Sequence, residues 1–156
     1  MQQPALNSHL LERVLDRDNL ARAWKRVKSN HGAPGVDGIS IEDYPQWAKT
    51  HWEKTRRAIE GGYYIPSPVK RVEIPKPMGR GVRLLGIPCV NDRVIQQAIA
   101  QVILPIVDPT FSERSFGFRP QRSAHQAVKQ VRRYIEQKQR IAVDIDLSKF
   151  FDTGVF

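Results

Sequence analysis

The sequence predicts an α+β fold. Three observations carry that reading. Apolar residues recur at helical spacing in five separate stretches. One stretch, residues 69–88, alternates apolar and polar, reverses at a Pro/Gly-rich turn and alternates again. Residues 141–145 alternate a third time, with Ile141, Val143 and Ile145 on one face and a carboxylate, Asp144, on the other. Helices and strands in mixed order, without a repeating strand–helix unit, argue α+β rather than a parallel sheet. A length of 156 residues is compatible with one domain and a real core.

The elements follow in order. Residues 1–9 are expected to be disordered. Leu10, Leu11, Val14 and Leu15 have helical spacing. Asp18 or Asn19 can cap a second helix, with Leu20, Ala23, Trp24 and Val27 on one face. Arg22, Lys25, Arg26 and Lys28 fall mostly on the other, as a solvated surface or a contact for a polyanion. Residues 30–38 (NHGAPGVDG) hold three glycines and a proline and must form a loop. Such a loop can offer N–H groups to a phosphate, but it lacks P-loop spacing. Ser40 with Asp43 resembles a capping box, so a helix is expected through Ile59, with Trp47 and Trp52 as apolar points. Gly61 and Gly62 stop it, and Pro66 and Pro68 favour extended chain.

Residues 69–75 and 82–88 then read as a β-hairpin carrying Lys70, Arg71, Lys76, Arg80 and Arg83. Cations on a hairpin either reach phosphates or keep an edge strand soluble. Asn91 or Asp92 starts the next helix, with Val94, Ile95, Ala98, Ile99, Val102 and Ile103 inward and Pro105 and Pro109 ending it. Residues 111–123 (FSERSFGFRPQRS) mix three aromatics with three arginines. Those aromatics either stack on bases beside phosphate-pairing arginines or pin the loop to the core. Ser123 caps a last helix to about residue 137, with Ala127, Val128, Val131, Tyr134 and Ile135 on its apolar face.

Composition limits the partners. The formal net charge is +9. That suits a polyanion: nucleic acid first, an anionic membrane surface second. The densest positive field lies before the carboxylate strand, where Arg119, Arg122, Lys129, Arg132, Arg133, Lys138 and Arg140 face one acid, Glu136. Cys89 is the single cysteine, which excludes an intrachain disulfide and a cysteine zinc site and fits a reducing cytoplasm. The N-terminus lacks an apolar core of signal-peptide length. Residues 94–107 are interrupted by Gln96, Gln97, Gln101 and Pro105, so no membrane partner is expected.

Five stretches together resemble the N-terminal part of bacterial group II intron-encoded reverse transcriptase/maturases. They are NLARAWKRVKSNHGAPGVDG, PSPVKRVEIPKPMGRGVRLLGIP, DRVIQQAIAQVILPI, DPTFSERSFGFRPQRSAHQAV and VDIDLSKFFD. The resemblance covers nearly the whole chain from about Leu10 to Asp152. It implies the fingers, with an N-terminal extension, over residues 10–140 and the start of the palm of a right-hand polymerase over 141–156. The partners it implies are intron and template RNA, a DNA primer or target, and incoming dNTP.

The resemblance also assigns roles. Asp146 matches the first catalytic, metal-binding aspartate, and Leu147 the position whose backbone carbonyl also binds Mg²⁺. Phe151 matches the aromatic beneath the incoming sugar, which disfavours a 2′-OH. Lys76 and Arg83 resemble the cations that hold the triphosphate. The loop 30–38 resembles the one that closes over the template. Asp144 looks like a companion. The basic residues Arg22, Lys25, Arg26, Lys28, Arg119, Arg122, Arg132 and Arg133 are expected to meet nucleic acid.

The chemistry is consistent with these roles, since in-line nucleotidyl transfer uses two metals roughly 3.5–4 Å apart. The chain departs from the family after FFD. Thr153, Gly154, Val155 and Phe156 stand where the usual continuation resembles FFD-x-V-N-H, and no Asp-Asp pair occurs anywhere. The expectation is a truncated reading frame or fragment without polymerase activity of its own. The alternatives are a non-catalytic RNA-binding fragment and a decayed remnant.

Overall fold

The computed structural model describes residues 9–76 and 81–146. Its first helices are set by one carboxylate. Asp16, in extended conformation, accepts from the backbone N–H groups of Asp18 and Asn19, each at 3.0 Å. It therefore ends α1 (Leu10–Val14) and caps α2 (Arg17–Ser29). Asp18 and Asn19, the caps expected from the sequence, lie inside the first turn instead. Asn19 is buried, and its amide nitrogen donates to the carbonyls of Val14 and Ala98. One buried amide thus ties α1 and α2 to a helix about eighty residues later.

Helix α3 (Tyr44–Glu60) begins one turn after the expected box. The Asp43 N–H donates to Ser40 Oγ at 3.0 Å, as a capping box requires. The Asp43 carboxylate accepts from the Ser40 hydroxyl at 2.7 Å rather than from its backbone. Gly61 and Gly62 close the helix, Gly62 with φ of 72°. The hairpin forms as expected: β1 (Lys70–Pro75) pairs antiparallel with β2 (Val82–Ile87), giving a two-stranded sheet.

Helix α4 (Val90–Val107) is the core element. Cys89 takes the N-cap position without a side-chain cap, so Asn91 and Asp92 fall in the buried first turn rather than before it. It also runs through Pro105, which the sequence reading places at its end. A proline so near the C-terminus removes only the N–H that would reach the carbonyl of residue 101. Val90, Val94, Ala98 and Val102 form one buried stripe against Val14, Leu15, Ala23, Val27, Ile41 and Tyr44. Ile99 and Ile103, expected inward, are partly exposed. Ala23 and Ala98 are fully buried, and such small side chains let two helices approach closely. Trp24 meets Tyr44 with ring centroids 4.9 Å apart and brings α3 onto this core.

Residues 1–109 and 110–156 form two separate compact units. The second contains a short irregular loop and α5 (Ala124–Glu136). Ser123 and Gln126 make a complete capping box, with Gln126 Oε1 accepting from the Ser123 N–H at 2.8 Å. The expected apolar face of α5 is not buried: Val128, Val131 and Ile135 are all exposed. Residues 141–146 form no strand, and Ile141, Val143 and Ile145 are exposed. Extended chain becomes a strand only when its backbone groups find a ladder, and no described residue pairs with this stretch. Among the described residues, no helix is long and apolar enough to cross a membrane.

Candidate nucleic-acid interface

The amphipathic pattern of α2 is realised in space. Ala23 and Val27 are buried, and Arg22, Lys25, Arg26 and Lys28 are exposed on the outer face. Arg26 and Lys28 sit in the last turn, where the helix dipole favours cations. Arg22 Nη2 also donates to Asn19 Oδ1 at 3.3 Å, so its stem is held to the helix.

The hairpin register decides where its cations stand. Ile74 pairs with Arg83, and the Lys76 N–H donates to the Gly81 carbonyl at 2.9 Å. Side chains two apart along a strand share a face. Lys76 therefore lies on the same face as Ile74 and its partner Arg83, and the two cations are diagonal neighbours. Lys70 and Arg71 are exposed further along the ribbon, on opposite faces. Arg80 lies outside the described residues.

The second unit sorts its arginines into two kinds. Three guanidinium groups lie over aromatic rings: Arg119 over Phe111 at 5.4 Å, Arg122 over Phe116 at 5.7 Å and Arg114 over Tyr134 at 5.8 Å. Arg119 is further engaged, since its Nη1 donates to the carbonyls of Ser112 at 2.7 Å and Ser115 at 3.2 Å. It staples the loop. Arg132 pairs with Glu136 at 3.1 Å on the helix surface. Arg122 and Arg133 line one open cavity of about 520 Å³ together with Arg114 and Lys129, and Arg122 Nη1 also donates to the Glu113 carbonyl at 3.3 Å. Glu113 is the single acid on that lining, beside Phe116, Gln126 and Gln130. Four cations around one hollow, with an aromatic and two amides, make an environment for phosphate and base.

The catalytic expectation rests on less. Asp146 is exposed, as is Asp144, and both belong to the second unit. Leu147 and Phe151 lie outside the described residues. No group of three or more His, Cys, Asp or Glu side chains comes together among the described residues. Mg²⁺ demands near-octahedral oxygen ligation, and two exposed aspartates do not supply it. The described residues by themselves therefore do not assemble the two-metal centre that the resemblance implies.

The cavity residues Arg114 and Lys129 are not among those singled out as nucleic-acid contacts, although Arg114 is one of the loop's three arginines and Lys129 belongs to the dense positive field. Arg114 precedes the dense charge run, and Lys129 looks like one of many surface cations on α5. A second set was invisible because its members are far apart in sequence. The buried first turn of α4 binds two distant segments. Asn91 accepts from the Tyr44 hydroxyl at 3.2 Å and donates to the Tyr64 oxygen at 3.1 Å. Asp92 accepts from the Tyr64 hydroxyl at 2.5 Å and from the Ser67 N–H at 3.2 Å. Burial, then the Asp92 charge, pushes the Tyr44 hydroxyl up to about 12. Tyr64 moves the same way, through burial first and its bond to Asp92 second. Arg93 Nη2 donates to the Ala33 carbonyl at 2.8 Å, in the glycine-rich loop.

Comparison with known proteins decides the family. The model of the family described as reverse transcriptase (RNA-dependent DNA polymerase) matches residues 74–153, just over half of the chain. The chain belongs to the reverse transcriptase family. The match runs from the hairpin through α4, the arginine loop, α5 and Asp146. Protein YkfC of Escherichia coli is 36% identical over 157 residues, 96% of this chain and 41% of that protein. The group II intron-encoded protein LtrA of Lactococcus lactis is 36% identical over 111 residues, 71% of this chain and 18% of that protein. The putative COX1/OXI3 intron 1 protein of Saccharomyces cerevisiae is 29% identical over 153 residues, 98% of this chain and 18% of that protein. The chain thus spans well under half the length of these relatives.

Proposed function

We propose that these residues are the fingers, with the first palm segment, of a group II intron-type reverse transcriptase/maturase that grips template RNA. The observation that carries this reading is the cavity lined by Arg114, Arg122, Lys129 and Arg133, inside the stretch that the family model matches. Phosphate neutralisation by such cations releases counterions and favours binding. Lys76 and Arg83, on one face of the hairpin, suit a triphosphate. Arg22, Lys25, Arg26 and Lys28 offer a second anionic contact. Asp146 is proposed as one carboxylate of a Mg²⁺ site and Leu147 as a carbonyl donor beside it. Phe151 is proposed beneath the sugar of the incoming nucleotide. Intron RNA and a DNA primer or target are the proposed polymer partners.

The 156-residue chain is proposed to bind RNA without polymerising. Its described residues assemble no cluster of metal ligands, and its sequence holds no Asp-Asp pair. Two measurements on the purified chain test both halves. Anisotropy of a fluorescein-labelled oligouridylate should rise on titration and fall steeply with added salt. Primer extension on an RNA template with Mg²⁺ and dNTPs should yield no product. Product from the wild-type chain that disappears in Asp146→Ala would overturn the inactivity. Binding that ignores salt would overturn the phosphate grip.

A further inference from the structure

We propose that Arg93 is a positioning residue, which holds the glycine-rich loop of residues 30–38 in its shape and thereby sets the chain's grip on RNA. The functional half rests on the RNA-binding reading above. The structural half stands on the loop itself.

The loop is held at two points by consecutive parts of one helix start. At the first, Arg93 Nη2 donates to the Ala33 carbonyl at 2.8 Å. The Arg93 guanidinium also occupies the space beside Gly32: a Cβ built on Gly32 would overlap Arg93 Nη1. Arg93 Nε is buried and has no hydrogen-bond partner among the described residues. No described carboxylate forms a salt bridge with Arg93. Arg93 is half-buried: its Nε is shielded from water, while its bond to Ala33 lies at the surface. That bond ties the loop to the start of α4.

At the second point, Gly35 is buried against Cys89. A Cβ on Gly35 would lie 2.7 Å from Cys89 Cα and 2.8 Å from its nitrogen. The rest of the loop is thinly tied. The His31 N–H donates to the Lys28 carbonyl at 3.2 Å, and the Gly38 N–H to the Gly35 carbonyl at 3.4 Å. His31 and Gly38 both take positive φ, at 46° and 72°. For the non-glycine His31 that region is strained and relaxes when its restraints go, whereas Gly38 holds it without strain.

The loop directly follows the basic face of α2 that ends at Lys28. The same turn of α4 fixes the approach to the hairpin, through Asp92 and its bonds to Tyr64 and Ser67. One helical turn therefore fixes the segments after α2 and before β1, two of the basic elements of the first unit. Arg93 does this without offering its charge to a phosphate.

Amide hydrogen exchange and RNA titration on the whole 156-residue chain test the proposal. In Arg93→Ala, exchange at His31 and Gly38 should quicken roughly tenfold, the loss of one hydrogen bond to a charged donor. The amides of Ala23 and Val27 should keep their protection. Affinity for the labelled oligouridylate should fall several-fold while the slope of log K against log salt stays unchanged. A phosphate contact would instead lower that slope by about 0.7. Arg93→Lys, which keeps a donor for Ala33, should recover part of both effects. Gly32→Ala should mimic Arg93→Ala by pushing the guanidinium off Ala33, and should add nothing in the double variant. Unchanged exchange at His31 and Gly38 overturns the proposal, as does full additivity of the two substitutions. A reduced salt slope also overturns it, making Arg93 a contact. Quickened exchange with unchanged affinity overturns the functional half. If the wild-type chain binds no RNA, the RNA-binding reading falls, and exchange alone still decides whether Arg93 sets the loop.

Discussion

The two kinds of arginine in the second unit should separate in a salt titration. Arg114, Arg122, Lys129 and Arg133 line one cavity, whereas Arg119 is bonded to the carbonyls of Ser112 and Ser115 beneath its own loop. For single strands, each phosphate neutralised adds about 0.7 to the slope of log K against log salt. Replacing one cavity cation by glutamine should lower that slope by about 0.7, and replacing all four by about 2.8. Between 50 and 200 mM salt, the four together account for a roughly 50-fold loss of affinity in the wild type. The quadruple variant should lack that share of the loss. Arg119→Gln should leave the slope as it is and loosen the loop instead, because its hydrogen bonds are internal. Anisotropy of a labelled oligouridylate at several salt concentrations reads both numbers. A slope lowered as much by Arg119→Gln as by Arg133→Gln would refute the division. So would a quadruple variant that keeps the wild-type slope.

Two further predictions concern the first unit. Gly35→Ala places a methyl within 2.8 Å of Cys89 backbone, which cannot swing away, so overpacking should cost about 2 kcal/mol and lower the melting point by roughly 10 °C. Gly38→Ala meets nothing within 4 Å and is disfavoured only by its φ of 72°, so thermal melts should show a loss of about 1 kcal/mol. The second prediction concerns alkali. The Tyr44 hydroxyl is raised to about 12 in the fold, against 10.0 unperturbed. The folded state then holds a proton that the unfolded state releases. Its contribution is complete below pH 10 and is lost as pH rises through 12, at up to about 1.4 kcal/mol per pH unit between them. Denaturant midpoints taken across that window should fall less steeply for Tyr44→Phe than for the wild type; equal slopes would contradict the burial argument.

What could be read from the sequence follows the range of the forces involved. Local forces were legible. The Ser123 cap, the glycine stop after α3 and the hairpin each depend on residues within a few positions, and all three form. The caps of α2 and α4 were misplaced by two or three residues. Asn19, Asn91 and Asp92 look like caps but are buried and bonded to distant partners. A polar side chain in a helix start serves either end, and only the three-dimensional neighbour chooses. Exposure failed for the same reason in reverse. Val128, Val131, Ile135 and residues 141–145 have the pattern of buried faces, yet no described residue covers them. Periodicity states which face is apolar, not whether anything packs on it.

The candidate site divides along that line too. Charge density pointed to a segment in which Arg122 and Arg133 line one cavity. It could not tell Arg133 from Arg119, because an arginine that binds carbonyls, as Arg119 and Arg122 do, and one that awaits a phosphate have the same charge. The distinction lies in what the guanidinium already holds. Arg119 and Arg93 each hold loop carbonyls, so on the proposed reading their part in RNA binding is the shape they impose. Their removal should cost affinity at every salt concentration alike. Removal of Lys129 or Arg133 should cost most where salt is low and counterion release is largest. The salt dependence of each substitution, not its size, therefore tells the cations that shape this interface from those that touch its ligand.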